Sequence, residues 1–245
     1  MSSLLRNLAI LTLVLPISVN AVERTFTADD GFVLHGDYFQ PKSTSSTGVL
    51  MMHQCNFNRT MYEDIGTELA ARSVHAVSID FRGFGDSVSD EFNVEKLDQL
   101  PEEQQGKAFS QMSQHWPSDV KVALQFLTQQ LGESGKVGVI GASCGGSLAV
   151  KLSESEKFDA VALFSSAQGA KNIERYTKHL SNAPTLLIAA EQDTHAFTSA
   201  SELFTHSDSP ASKFIHYKGD NHGYPLYEQD PSLAISIVEW FVSSL

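Results

Sequence analysis

The sequence predicts an α/β fold in which a mostly parallel β-sheet carries helices on both faces. Continuous apolar runs recur along the chain, and such runs are typical of strands that are buried on both faces of a sheet. Segments with helical periodicity separate these runs, and strands that alternate with helices are typical of an open parallel sheet. The apolar runs occupy residues 48–52, 76–79, 137–140, 160–164, 185–190 and 214–217.

The first predicted element is a secretory signal peptide. Arg6 is the only charged residue before an apolar run at 8–19, and the small side chains of Val19 and Ala21 suit the cleavage positions. The alternative to a cleaved signal peptide is a permanent membrane anchor. A bilayer-spanning helix needs roughly 20 apolar residues, and this run is shorter than that. We therefore expect cleavage after residue 21, one mature domain over 22–245, and an exported protein, periplasmic or secreted, with no stable membrane association.

The remaining elements follow from their own patterns. Alternating apolar residues at 32–38 predict an early half-buried strand. Apolar residues with helical spacing predict helices at 62–73 and 118–131, and a third from residue 233 onward. The segment 90–116 is richer in Glu and Gln and suggests one or two short helices, which form either a partial lid or surface packing.

The charge balance excludes whole classes of function. The 245 residues contain 17 Lys plus Arg and 29 Asp plus Glu, which gives a formal charge of −12 at pH 7. Nucleic-acid binding needs clustered basic residues, and anionic membrane surfaces need them too. Neither kind of partner is expected.

A glycine-flanked serine follows one of the predicted buried strands. Gly141, Ser143 and Gly145 come directly after the run at 137–140, and a helical pattern follows them. A serine at the tip of a sharp strand-to-helix turn needs small neighbours, so this context predicts a nucleophile elbow. The alternative, a phosphate-binding turn, lacks the lysine of a P-loop and the spacing of a dinucleotide fingerprint.

A nucleophilic serine also needs a base and a carboxylate that orients the base. Asp193 lies just beyond the run at 185–190, and His222 lies in a glycine-containing loop after the run at 214–217. We therefore predict a catalytic Ser143, His222 and Asp193, with Glu191 as the alternative acid. The order serine, acid, histidine along the chain is the order found in α/β-hydrolases.

With these motifs, the sequence resembles the α/β-hydrolase superfamily, and within it the dienelactone-hydrolase-like branch that has no cap domain. The resemblance rests on residues 29–31, the pair His53 and Gln54, the stretch 80–87, and then the elbow and the acid and histidine loops in order. One departure is that dienelactone hydrolases have a cysteine as nucleophile, where this chain has Ser143. The resemblance therefore implies an α/β-hydrolase fold without a large cap domain and a serine esterase.

The resemblance also implies the rest of the site. The oxyanion hole would be formed by the backbone N–H of Cys144 and by an N–H in the turn after the third strand, where Cys55 is favoured over Gln54. Arg82 is interpreted as part of a turn rather than as a ligand for a substrate carboxylate. No cofactor and no metal is expected. Candidates for the substrate pocket are His53, Gln54, Phe57, Phe197 and Tyr224.

If both cysteines flank the oxyanion hole, they lie close together in a compartment that oxidises thiols. Cys55 and Cys144 are the only two cysteines of the chain. Three states are considered: a disulfide, two unreactive buried thiols, or Cys144 as the nucleophile. Of these, two unreactive thiols are favoured.

These features predict an exported serine hydrolase, a carboxylesterase that cleaves small to medium acyl esters through an acyl-enzyme. A peptidase or another acyl hydrolase with the same triad is the alternative among enzymes. A binding protein with an unused triad is the alternative outside them.

Overall fold

The computed structural model describes residues 21–245, so the predicted signal peptide lies outside the described residues except for Ala21. Its centre is an eight-stranded sheet with the order β1-β2-β4-β3-β5-β6-β7-β8. The strands are β1 (Val22–Thr27), β2 (Val33–Phe39), β3 (Thr47–Met52), β4 (His75–Ile79), β5 (Lys136–Ala142), β6 (Ala160–Phe164), β7 (Thr185–Ala190) and β8 (Lys213–Tyr217).

The sheet confirms the predicted mostly parallel architecture. All pairs from β4 through β3 to β8 are parallel, whereas β1 with β2 and β2 with β4 are antiparallel. Each predicted apolar run coincides with one parallel strand to within two residues. The edge strand β1 was not predicted, because all of its residues except Phe26 are exposed and it shows no apolar pattern.

Helices follow the strands and cover both faces. A short 3₁₀ turn (Arg59–Tyr62) precedes the first of them. The helices are α1 (Glu63–Ala71), α2 (Val94–Leu97), α3 (Glu102–Ser113), α4 (Trp116–Leu131), α5 (Cys144–Leu152), α6 (Ala170–His179), α7 (Thr194–Thr205), α8 (Pro225–Gln229) and α9 (Leu233–Ser244).

Two apolar layers enclose the sheet because successive residues of a buried strand point to opposite faces. In β3, Leu50 and Met52 pack in the layer that contains α4 and α5. Val49 and Met51 pack in the opposite layer with α1 and α9. All four side chains are fully buried, and each such burial stabilises the fold by about 1.5–3 kcal/mol.

The segment 90–116 forms α2 and α3, and Leu97 and Met112 are their buried side chains. Between β6 and β7 the chain forms only α6, so the described residues contain no large cap domain. Within 21–245, none of the helices combines the length and the apolar character that crossing a membrane requires.

Candidate active site

Ser143 lies at the sharp turn between β5 and α5. Its φ is +49° and its ψ is −115°, a backbone conformation that a non-glycine residue rarely adopts. The Ser143 N–H donates to the carbonyl of Phe164 on the neighbouring strand at 2.8 Å. A Cβ at Gly145 would lie 2.4 Å from the Met52 carbonyl oxygen, so α5 can approach β3 this closely only with glycine there. The sequence therefore builds a strained elbow that holds Ser143 at the carboxyl end of the sheet.

The elbow has a second support that the sequence analysis missed. Ser166 Oγ donates to the Ser143 carbonyl at 2.6 Å. Gln168 Nε2 donates to Ser166 Oγ at 2.7 Å, and Asn172 Nδ2 donates to Gln168 Oε1 at 2.8 Å. The sequence gives only one signal for this series of hydrogen bonds, namely that Ser166 and Gln168 come directly after the strand next to the elbow.

Asp193 and His222 are brought together from two loops at the same edge of the sheet. The distance from His222 Nδ1 to Asp193 Oδ2 is 2.6 Å. A hydrogen bond at Nδ1 leaves Nε2 of the imidazole available to accept a proton. The alternative acid, Glu191, instead pairs with His216 at 3.1 Å. The geometry therefore selects Asp193 as the partner of His222.

Ser143 and His222 are both half-buried at this edge. Among the hydrogen bonds of residues 21–245, none joins the two side chains. Hydrogen bonds between a nucleophile and its base are often long in the free enzyme and shorten when substrate binds. Asp193 and His222 are thus already paired, whereas Ser143 is not yet hydrogen-bonded to His222.

Cys144 and Cys55, the two residues expected to supply the oxyanion hole, are joined by a disulfide bond with their Cα atoms 5.8 Å apart. The prediction of two free thiols was therefore wrong, because the approach of α5 to the end of β3 brings these cysteines within bonding distance. A disulfide sulfur is not a thiolate, so Cys144 is not a nucleophile in this state. Cys144 is the first residue of α5, where a backbone N–H has no acceptor within the helix.

His53 does not line a substrate pocket, contrary to the prediction. Its side chain is fully buried, and burial lowers its pKa to about 4. Nδ1 donates to the Gln54 carbonyl at 2.7 Å, and Nε2 accepts the Phe81 N–H at 3.0 Å. His53 is therefore a neutral structural residue that joins the loops after β3 and β4.

Gln54, also predicted as a pocket residue, is buried and connects the β3 loop to the histidine loop. Its Oε1 accepts the Tyr224 N–H at 2.8 Å, and its Nε2 donates to Asn56 Oδ1 at 2.6 Å. A Cβ at Gly223, where φ is +67°, would lie 1.9 Å from this Oε1. Gln54 thus positions the residues directly after His222, and a side chain at 223 would displace its amide oxygen from the Tyr224 N–H.

The three aromatic pocket candidates have different surroundings. Phe57 stacks on Tyr224 with ring centroids 4.4 Å apart, so this pair lies where the β3 loop meets the histidine loop. Phe197 instead packs against Phe214 and His216 of β8. Phe197 is half-buried beside the edge strand, so its place in the substrate pocket stays a prediction.

A cleft of about 800 Å³ opens beside Cys55, between the β3 loop and the segment 90–116. Its apolar walls come from both sides, whereas Ser143 and His222 do not line it. The segment 90–116 therefore forms one wall of a cleft next to the predicted oxyanion hole. The apolar and aromatic lining residues are Phe57, Phe84, Val88, Val94, Leu97 and Phe109.

The polar side of this cleft is acidic. Asp86, Glu95 and Asp98 line it, and Arg59 is its one basic residue. Arg59 is occupied by several carboxylates, with Nη1 2.7 Å from Asp86 and Nε 3.1 Å from Asp37. The cleft therefore has an excess of negative charge.

One group of side chains within the described part of the chain has the spacing of metal ligands. Glu23, His35 and Asp86 offer ligand atoms within 4.8 Å of one another, and all three are at least partly exposed. Arg59 already contacts both carboxylates of this group, Glu23 at 3.7 Å and Asp86 at 2.7 Å.

Arg82 is buried between two carboxylates and is not exposed to a substrate. Nε and Nη2 donate to Asp119 at 3.0 and 2.8 Å, and Nη1 donates to Asp30 at 2.6 Å. The hydrogen bond from Arg82 lowers the pKa of Asp30 to about 2, whereas burial raises the pKa of Asp119. Arg82 thus stabilises a turn, as expected.

Comparison with known proteins gives the family. The model of the dienelactone hydrolase family matches residues 35–237. The chain belongs to the dienelactone hydrolase family. Membership in this family of hydrolases agrees with the elbow and with the paired acid and histidine. No curated protein sequence matches the chain.

Solved structures of other hydrolases share the fold. An esterase from Pyrococcus furiosus superposes with a TM-score of 0.65 at 15% identity, covering 92% of this chain and 91% of that one. The esterase domain of a Rhodothermus marinus protein gives 0.66 at 16% identity, covering 91% and 99%. A dienelactone hydrolase from Anabaena variabilis gives 0.63 at 18% identity, covering 92% and 98%. At these identities the likeness establishes the α/β-hydrolase fold.

Proposed function

We propose that this member of the dienelactone hydrolase family is an exported serine esterase. Ser143 would be the nucleophile, His222 the general base and Asp193 the orienting acid. The observation that carries the proposal is the 2.6 Å hydrogen bond between Asp193 and His222, at the sheet edge that holds the strained Ser143 elbow.

The chemistry follows from this arrangement. His222 Nε2 accepts the Ser143 hydroxyl proton as Oγ attacks the acyl carbonyl, and Asp193 stabilises the imidazolium that forms. The tetrahedral intermediate collapses, the alcohol leaves with the proton from His222, and the acyl group stays on Ser143. Water, deprotonated by His222, then attacks the acyl-enzyme and releases the carboxylic acid.

Charge on the carbonyl oxygen in both tetrahedral intermediates needs preorganised donors. The N–H of Cys144, at the positive end of the α5 dipole, is the first donor. The N–H of Cys55 is the second, because the disulfide holds its loop next to the elbow.

The cleft beside Cys55 supports small to medium neutral esters as substrates. Its apolar walls suit an acyl or alcohol group of modest size. Its excess of carboxylates disfavours substrates that carry a negative charge. Esters with a free carboxylate should therefore be poor substrates.

The Cys55–Cys144 disulfide also supports an exported location, since such bonds persist in oxidising compartments such as the periplasm or the extracellular space. The predicted signal peptide agrees with that location.

A substrate panel with matched variants tests the proposal. Purified protein is assayed with p-nitrophenyl esters of increasing acyl length, a thioester and a peptide substrate. Ser143→Ala should lower ester turnover by about 10³-fold or more. Ser147→Ala is the matched control, because Ser147 lies on the same helix and its hydroxyl only donates to the Ala167 carbonyl at 3.0 Å. Ester turnover that survives in Ser143→Ala would refute the serine mechanism, and selective cleavage of the peptide would indicate a peptidase.

A further inference from the structure

The disulfide has an unusual position relative to the proposed reaction. Cys144 directly follows the nucleophile and begins α5, whereas Cys55 lies in the loop after β3. These residues carry the two N–H groups assigned to the oxyanion hole, and the bond between their side chains crosses from one donor segment to the other.

The two segments differ in how firmly other contacts hold them. The Cys144 side is fixed by the Ser143 N–H bond to Phe164 and by the Ser166 bond to the Ser143 carbonyl. The Cys55 side is a half-exposed loop at the cleft, where the neighbouring Gln54 accepts hydrogen bonds from the Phe57 N–H at 3.1 Å and from the Tyr224 N–H at 2.8 Å. Within residues 21–245, the Cys55 N–H itself donates to no protein acceptor. It is available to a substrate oxygen, and the disulfide ties it to the fixed segment.

We propose that the Cys55–Cys144 disulfide positions the oxyanion hole, and that reduction of this bond by a small dithiol switches the esterase to a low-activity state. The inference rests on the proposed function. Cys55 and Cys144 act here as positioning residues through their side chains, while their backbone N–H groups contact the substrate.

The exchange chemistry fits the position of Cys55 at the cleft. Because Cys55 lines the cleft, a dithiol can reach it there, and one thiolate attacks Cys55 Sγ to form a mixed disulfide. Cys144 leaves as a thiolate, which the N-terminal end of α5 stabilises. The second thiolate of the dithiol then displaces Cys55, so that the dithiol is oxidised and the cystine is reduced by two electrons.

Reduction would impair catalysis through the Cys55 loop. The loop loses its tie to the elbow, and its N–H no longer stays aligned with that of Cys144. The aligned donors act on the charged oxygen of the transition state, so kcat should fall while KM changes little.

The fold itself should survive reduction. β3 is paired with β4 on one side and β5 on the other, and these pairings keep the two segments adjacent without the disulfide. A loss of activity with the fold retained is therefore the expected signature.

The test compares oxidised and dithiothreitol-reduced protein with the variant Cys55→Ser/Cys144→Ser. Substitution by serine keeps both backbone N–H groups and removes only the covalent bond between the two segments. The chain has no other cysteine, so any effect of the reductant that requires thiols comes from this pair. Mass spectrometry of alkylated protein counts the free thiols, and circular dichroism monitors the fold.

Removing one oxyanion donor costs about 10²–10³ in kcat, so loosening one should lower kcat by about 10- to 100-fold. Reoxidation should restore kcat, and the double variant should have the low kcat with no response to dithiothreitol. A fully reduced, folded enzyme that keeps kcat within twofold would overturn the proposal, and so would a double variant as active as the oxidised enzyme. Unfolding on reduction would overturn it too, because the bond would then be needed for the fold. Oxidised protein without any ester turnover would instead refute the proposed function on which the inference rests.

Discussion

Replacing Gly223 with alanine should weaken the connection between the histidine loop and the β3 loop. The left-handed backbone at this position costs an alanine about 1 kcal/mol. The new Cβ would also lie 1.9 Å from Gln54 Oε1. Gln54 must then release the Tyr224 N–H, at a cost of about 1–2 kcal/mol for the unpaired donor. Gly223→Ala should therefore lower the free energy of unfolding by about 2–3 kcal/mol.

A double-mutant cycle separates these two contributions. In the background Gln54→Ala, no Oε1 is present to clash, so Gly223→Ala should cost only the backbone strain of about 1 kcal/mol. Urea denaturation of the four proteins gives the coupling, expected at about 1–2 kcal/mol. The kcat for p-nitrophenyl acetate should fall about 10- to 100-fold in Gly223→Ala, because His222 is the preceding residue. Equal costs of Gly223→Ala in both backgrounds would refute the contact as the reason for glycine.

Three further predictions concern other parts of the site and its surroundings. Burial lowers the pKa of His53 to about 4 from its ordinary 6.5, so the unfolded state binds more protons than the folded state between these pH values. The stability that the neutral His53 contributes is therefore present above pH 6.5 and is lost as pH falls to 4. His53→Gln should reduce the difference between the unfolding free energies measured in urea at pH 7 and at pH 4.5 by about 2–3 kcal/mol. Arg82→Met should lower the free energy of unfolding, measured by thermal or urea denaturation, by about 3–5 kcal/mol, because it leaves the Asp119 carboxylate buried and unpaired. Asp30→Asn, which changes the exposed partner of Arg82, should cost much less in the same measurement. An ester with a free carboxylate should have a kcat/KM about fivefold below that of its neutral isostere, since repulsion from the acidic residues of a solvated cleft costs about 1 kcal/mol. Equal kcat/KM values for the two esters would show that these acidic residues do not face the bound substrate.

The parallel strands were predictable because both of their faces are buried, which leaves a continuous apolar run in the sequence. β1 was not predictable in this way, because its pairing with β2 uses backbone groups while all of its side chains except Phe26 remain in solvent. The helices α6 and α7 were not predicted either; the only side chain that α6 buries is Tyr176.

The elbow and the histidine and acid loops were predictable for a related reason. Parallel strands place their carboxyl ends at one edge, so polar residues that follow such strands meet in space. Ser143, Asp193 and His222 each follow a strand that the apolar pattern identifies.

Which side chains face the substrate was not predictable to the same degree. His53, Gln54 and Phe197 lie near the correct loops in sequence, but His53 and Gln54 are turned toward neighbouring loops and Phe197 toward β8. Side-chain direction depends on helix rotation and on contacts between loops far apart in sequence. The disulfide also depends on a contact between distant segments, since it joins residues separated by 89 positions.

The most direct test of the central claim, that Ser143 is the nucleophile activated by His222, is covalent labelling with a fluorophosphonate followed by peptide mass spectrometry. We expect a single adduct on Ser143 in the folded protein, and a strong reduction of labelling in His222→Ala. Absence of labelling in the folded protein, or an adduct on another residue, would contradict the claim.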